Sequence, residues 1–204
     1  MNVVFDFGAV LFTWRPVDLI TECFPARAGT PAQAGHLAHE VFGHADWQAF
    51  DAGLMAMDVV VARTAARLDL DAQVLGDLVG SIDDRLEPMA PSVALLEQLH
   101  GLPDVHLYFL SNMPEPYARA LEQRHSFLDR FNGGIFSGDV GLAKPDPAIY
   151  QLLQTRHALV PAQTVFIDDL LGNIEAAQTQ GWHGIHFKSA AQVTQALQAL
   201  GVAV

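Results

Sequence analysis

The sequence predicts an α/β fold: a doubly wound, Rossmann-like parallel sheet with an inserted all-helical domain. Three observations predict it. Short apolar runs alternate with stretches of helical spacing; one long segment after the first run carries helical patterns only; and three of the apolar runs end in side chains capable of chemistry. Alternation of this kind, with ordinary connections, is the mark of βαβ units and of a sheet covered on both faces.

The expected strands are Val3-Val4-Phe5, His106 to Leu110, Gly134-Ile135-Phe136, Val165-Phe166-Ile167 and Gly184 to Phe187. Between them, Ser92 to His100, Pro116 to His125, Pro147 to His157 and Gly172 to Gly181 have the spacing of helices. From about Trp14 to Glu87 the pattern changes. Asp18 to Phe24, Ala32 to Phe42, Asp46 to Ala52, Asp58 to Leu68 and Ala72 to Ser81 read as helices, punctuated by Pro16, Pro25, Pro31, Gly43 and Gly53. The division predicted is therefore a core of residues 1–13 and 88–204 and a helical insert of residues 14–87.

Length and composition narrow the function. The chain has 204 residues, half of them hydrophobic and 17% charged, which describes a compact protein with a sizeable core. A formal net charge of −12 argues against a nucleic-acid-binding surface. The lone cysteine, Cys23, has no partner for a disulfide or a thiolate metal site and reads as a packing residue. No apolar run reaches the roughly 18 residues that span a bilayer, and Asp6 within the first apolar run makes a poor signal peptide. The expected setting is cytoplasmic, as a monomer or homodimer, with no nucleic-acid or membrane partner.

The chemistry lies at the strand ends. The first run delivers Asp6, the second Ser111 and Asn112, and the fourth Asp168 and Asp169. In an open parallel sheet the carboxyl ends of the strands share one edge, and ligands bind there where the strand order reverses. Lys144 follows the third run in Gly141-Leu142-Ala143-Lys144-Pro145-Asp146-Pro147. Three carboxylates in one crevice repel one another unless a cation is present, and oxygen ligands with water favour Mg²⁺. Lys144 is a compact charge suited to a phosphoryl group and to a carboxylate nucleophile. The Ser111 hydroxyl and backbone N–H groups beside it suit phosphate oxygens.

These motifs resemble the haloacid dehalogenase superfamily of hydrolases, most of which are Mg²⁺-dependent phosphatases. Phe5-Asp6-Phe7-Gly8-Ala9-Val10-Leu11, Leu110-Ser111-Asn112, Ser137 to Tyr150 around Lys144-Pro145, and Phe166-Ile167-Asp168-Asp169 followed by Asn173 match its four motifs in order. Trp14-Arg15-Pro16 further resembles a subgroup that includes glucose-1-phosphate phosphatase. The resemblance implies a helical cap in the insert and a small phosphorylated substrate, such as a sugar phosphate. It implies Asp6 as nucleophile and Mg²⁺ ligand, the Gly8 carbonyl as a ligand, Asp169 as a direct ligand and Asp168 as a direct or water-mediated one. Ser111 and the Asn112 N–H would bind phosphoryl oxygens, Lys144 would neutralise charge between Asp6 and phosphate, and Asn173 would orient metal-bound water or Asp169. Trp14 is a candidate for the substrate wall; Phe42, Trp47 and Phe50 read as helix packing.

The sequence departs from the resemblance at Gly8, where most family phosphatases carry a second aspartate that gives and takes the proton. Glycine leaves open a slow enzyme, a non-catalytic phosphate-binding protein, or an acid supplied by the insert, for which Asp18, Asp46, His36, His39 and His44 are the candidates. A 2-haloacid dehalogenase, which needs no metal, is the other enzymatic reading.

Overall fold

The computed structural model describes residues 1–204. Strands β1 (Asn2–Phe5), β2 (His106–Ser111), β3 (Gly133–Phe136), β4 (Thr164–Asp168) and β5 (His183–His186) form one sheet in the order β3-β2-β1-β4-β5. All four pairings are parallel. β1 is central, and the chain turns to one side of it for β2 and β3 and to the other for β4 and β5. That makes the end of β1 the switch point of the sheet.

Strand periodicity sorts the core into two layers. Val3 and Phe5 pack with Leu107, Val165, Ile167 and Ile185 on one face, while Val4 packs with Leu110, Ile135 and Phe166 on the other. The first face is covered by α6 (Ala90–His100), α7 (Glu115–Arg124) and α10 (Ala190–Ala199), through Leu95, Leu96, Leu99, Leu121, Val193 and Leu197. The second is covered by α8 (Pro147–Arg156) and α9 (Leu171–Thr179), through Ile149, Tyr150, Leu153 and Ile174. Both faces are dry, which is why the strands read as unbroken apolar runs. α10 is the one long element outside the helices expected from the sequence. It is rich in Ala and Gln and holds the core by Val193 and Leu197 alone.

Between β1 and α6 lie five helices and no strand: α1 (Pro16–Cys23), α2 (Pro31–Phe42), α3 (Ala45–Asp51), α4 (Met57–Leu68) and α5 (Ala72–Gly80). Their boundaries have local causes. Pro16 and Pro31 open α1 and α2, where a missing N–H leaves no hydrogen bond unmade. The Asp71 carboxylate caps α5 by accepting from the N–H groups of Gln73 (2.8 Å) and Val74 (3.0 Å). α4 stops at Asp69, whose φ of 51° is left-handed. Leu37, Val41, Trp47, Val60, Leu75 and Leu78 join the insert's interior to the first core layer. Each such buried side chain contributes about 1.5–3 kcal/mol. Cys23 is half-buried, unpaired and packed against the same layer.

The chain leaves and re-enters the core side by side. Thr13 N–H donates to the Glu87 carbonyl at 2.8 Å, Met89 N–H donates to the Leu11 carbonyl at 2.7 Å, and Phe12 bridges Pro88 in antiparallel fashion. This pairing holds the start and the end of the insert against the carboxyl edge of β1. No helix is long and apolar enough to cross a membrane.

Candidate active site

Register brings the first two acids together. Phe5 of β1 pairs with Ile167 of β4, and Asp6 N–H donates to the Ile167 carbonyl at 2.9 Å, so Asp6 and Asp168 emerge side by side at the switch point. Between their carboxylates sits the Lys144 ammonium, 2.8 Å from Asp6 Oδ1 and 2.7 Å from Asp168 Oδ2. The lysine side chain is 2% exposed and that of Asp168 0%, so this is a desolvated pair of charge-assisted bonds.

Asp168 has little capacity left. Its Oδ1 also accepts from Leu170 N–H at 2.8 Å, and Asn173 Nδ2 lies 3.0 Å from each of its oxygens. Asn173 thus serves Asp168, where the resemblance implied Asp169 or a metal-bound water. Asp169 points to the cavity and is half-buried. Carboxylate oxygens of Asp6, Asp168 and Asp169 all lie within 4.8 Å of one another. Three carboxylates against one ammonium leave two negative charges, the deficit that a divalent cation neutralises. An all-oxygen set of this kind fits Mg²⁺, with Asp6, Asp169 and the adjacent Gly8 as the groups that would hold it and Asp168 reaching it directly or through water.

The electrostatics follow. Burial pushes Asp6 up to about 7; Lys144 pulls against this, while Asp168 and Asp169 add to it. Asp169 is raised by burial and by Asp168. Burial opposes the charge on Lys144, but Asp168 and Asp6 outweigh it and hold the ammonium protonated.

Asn112 clamps the lysine loop in place. Its Oδ1 accepts from Lys144 N–H at 2.8 Å and its Nδ2 donates to the Lys144 carbonyl at 2.9 Å. Asp6, Gly8, Trp14, Asn112, Lys144, Asp169 and Asn173 all border one cavity of about 610 Å³. Ser111 and Asp168 stand just behind its wall, both buried.

From residues 14–87, Phe42, Gly43, Trp47, Gln48 and Asp51 line the same cavity. Trp14, Phe42 and Trp47 meet edge to face, with ring centroids 5.1 and 4.8 Å apart. Phe42 and Trp47 therefore face the cavity as well as packing, whereas Phe50 is packing alone. None of Asp18, Asp46, His36, His39 or His44 borders the cavity: Asp46 pairs with Arg63 at 3.3 Å, the His44 ring caps α3, and Asp18, His36 and His39 are exposed. The acid of the insert that does reach the site is Asp51, the last residue of α3. Its one sequence signal is its place a helical turn after Trp47, on the face that Trp47 gives to the cavity.

A haloacid dehalogenase-like hydrolase family model matches residues 2–181, nearly the whole chain. The chain belongs to this family. Among relatives of known sequence, the hydrolase is 29% identical over 183 residues to the sesquiterpene phosphatase astK of Aspergillus oryzae, covering 90% of this chain and 87% of that protein. Its fold matches a HAD family enzyme of Bacteroides thetaiotaomicron solved with magnesium and inorganic phosphate, with a TM-score of 0.68, 18% identity and 92% and 94% of the two chains covered. It also matches L-2-haloacid dehalogenase of Xanthobacter autotrophicus, with a TM-score of 0.67, 23% identity and 97% and 82% covered.

Proposed function

We propose that this hydrolase is a Mg²⁺-dependent phosphatase that cleaves a small phosphorylated metabolite through an aspartyl phosphate on Asp6. The observation that carries the reading is Lys144 held between Asp6 and Asp168 beside Asp169. This arrangement keeps a carboxylate nucleophile and a cation-binding set at the mouth of one cavity. Residues 14–87 act as the cap that closes this cavity, and the single cysteine suits a cytoplasmic setting.

In this reading, an Asp6 carboxylate oxygen attacks phosphorus in line with the ester oxygen, whose bond to phosphorus breaks. Lys144 keeps Asp6 ionised and offsets phosphoryl charge, Asn112 holds Lys144, and the Asn112 N–H takes a phosphoryl oxygen, with Ser111 buried beside it. Mg²⁺, when bound by Asp6, the Gly8 carbonyl and Asp169, supplies further neutralisation of the phosphoryl oxygens. Water then hydrolyses the aspartyl phosphate and returns Asp6 as a carboxylate.

The cavity walls bear on the substrate. Trp14, Phe42, Trp47, Ile82, Leu86 and Tyr117 surround the space beyond the charged end. That lining supports a leaving group with an apolar body, in keeping with the sesquiterpene phosphatase relative, over the sugar that Trp14-Arg15-Pro16 brings to mind.

A panel of phosphate esters, assayed with Mg²⁺ and with EDTA, tests the proposal. Phosphate release is expected only with Mg²⁺, fastest for apolar alkyl esters, and lower by on the order of 10⁴-fold or more in Asp6→Asn. Ester binding with no turnover above that variant would make the protein a phosphate-binding module. Halide release from a 2-haloacid in EDTA would make it a dehalogenase.

A further inference from the structure

We propose that Asp51, at the end of α3, performs the proton transfers for which position 8 has no side chain. The inference rests on the phosphatase reading above and names the residue that completes it.

Asp51 borders the same cavity as Asp6, Gly8 and Lys144, and its carboxyl lies near enough to Asp6 and Lys144 to feel both charges. A substrate whose phosphoryl group meets Asp6 has its leaving oxygen turned away from Asp6, into that cavity. Asp51 is the carboxyl group of the insert that lines it.

Its placement is built rather than incidental. The Ser137 hydroxyl donates to the Asp51 main-chain carbonyl at 2.5 Å and accepts from Met113 N–H at 2.8 Å, tying the end of α3 to the loop that follows Ser111 and Asn112. Two residues on, Gly53 has φ +71°, and a Cβ there would stand 2.4 Å from the Gly138 carbonyl. Only a glycine permits this approach of insert to core. Asp51 is thus held over the site by contacts from both sides of its own helix end.

The environment suits an acid that is protonated before the reaction. Burial pushes the Asp51 carboxyl up to about 8, opposed by Lys144 and by the Trp47 side chain, and reinforced by Asp6. Tyr117 of α7 is the other titratable neighbour, and burial and Asp51 both raise its phenol, keeping it neutral. Nor does packing require the glycine at position 8: a Cβ there would meet Trp14 Cβ at an ordinary 3.8 Å.

The steps balance. As Asp6 Oδ bonds to phosphorus and the ester P–O bond breaks, the Asp51 proton passes to the leaving oxygen and releases a neutral alcohol. The Asp51 carboxylate then takes a proton from the water that attacks phosphorus. The P–O bond to Asp6 breaks, inorganic phosphate departs, and Asp6 is ionised and Asp51 protonated again. One ester and one water yield one alcohol and one phosphate.

The experiment compares an alkyl phosphate with 2,4-dinitrophenyl phosphate, whose phenolate leaves without a proton. Asp51→Asn is expected to lower kcat on the alkyl ester by roughly 10²–10³-fold. On the aryl ester it should give a burst of about one dinitrophenolate per active site, followed by slow turnover and a trapped phosphoenzyme, because only the second step now lacks its base. Asp51→Glu should recover about tenfold over Asn, and Asp46→Asn should match wild type. Loss of the same size on both esters with no burst, or alkyl turnover within about threefold of wild type, would overturn the assignment. Failure of the wild-type protein to turn over either ester would instead overturn the phosphatase reading.

Discussion

The carboxyl edge of the sheet and the end of α3 border one cavity, and they are held by different means. At the sheet edge, Asp6 and Asp168 are placed by parallel register, and their charges are satisfied by Lys144, Leu170 N–H and Asn173. At the end of α3, Asp51 is placed by docking: one hydrogen bond from Ser137 and the close approach of Gly53 to Gly138. The edge is rigid and electrostatically dense, with each buried group paired. The wall from residues 14–87 carries aromatic side chains and one acid, and it is held to the core by shared packing as well as by these contacts at the end of α3. Chemistry that must not move sits on the strands; chemistry that must meet a variable substrate sits on the part that docks.

The sharpest way to break this contrast is at the edge. Lys144→Met leaves Asp6 and Asp168 buried without their cation, and removing one partner of a buried pair costs about 3–5 kcal/mol. A fall in Tm with activity below about 10⁻³ of wild type is expected by thermal melt and ester assay, part of the lost stability returning with Mg²⁺. An unchanged Tm would mean that the ion pair does not organise the site.

Undocking the insert should cost less. Gly53→Val forces a Cβ against the Gly138 carbonyl and a branched side chain into a left-handed backbone. The expected result is a loss of roughly 10²-fold in kcat, from displacement of Asp51, with the Asp6 ion pair and the capacity to form phosphoenzyme intact. If phosphoenzyme formation from an aryl ester also disappears, edge and insert are one unit and the contrast fails.

The smallest effect is one of pH. Folding raises Asp51 from 3.8 to about 8, so the native state holds its proton where the unfolded chain has lost it. Stability therefore falls as pH rises from about 4 to about 8. Asp51→Asn removes this penalty, and the excess of its Tm over wild type in EDTA should grow from pH 5 to pH 8. An excess that grows toward low pH would assign the penalty elsewhere.

Much of the edge was legible in advance because its signals are local. Five apolar runs marked the five strands to within two residues or so, and their last residues marked Asp6, Ser111 and Asp168. The helical insert was visible in its spacing and its prolines. What local pattern does not carry is which polar group meets which. Asn173 bonds Asp168, Ser111 lies behind the cavity wall, and Asn112 clamps the Lys144 loop with its side chain. α10 was not among the helices expected from the sequence, although its buried Val193 and Leu197 stand at helical spacing.

By itself the sequence determined the alternation of strands and helices, the run of helices between β1 and α6, and the acids at the strand ends, because strand periodicity of two and helix periodicity of 3.6 are written in neighbouring residues. Only the tertiary structure decided that Asp51, rather than Asp18, Asp46 or the histidines of residues 14–87, borders the cavity with Asp6. That choice depends on how α3 sits against Ser137 and Gly138, more than eighty positions along the chain, and packing between such distant segments is a property of the fold as a whole.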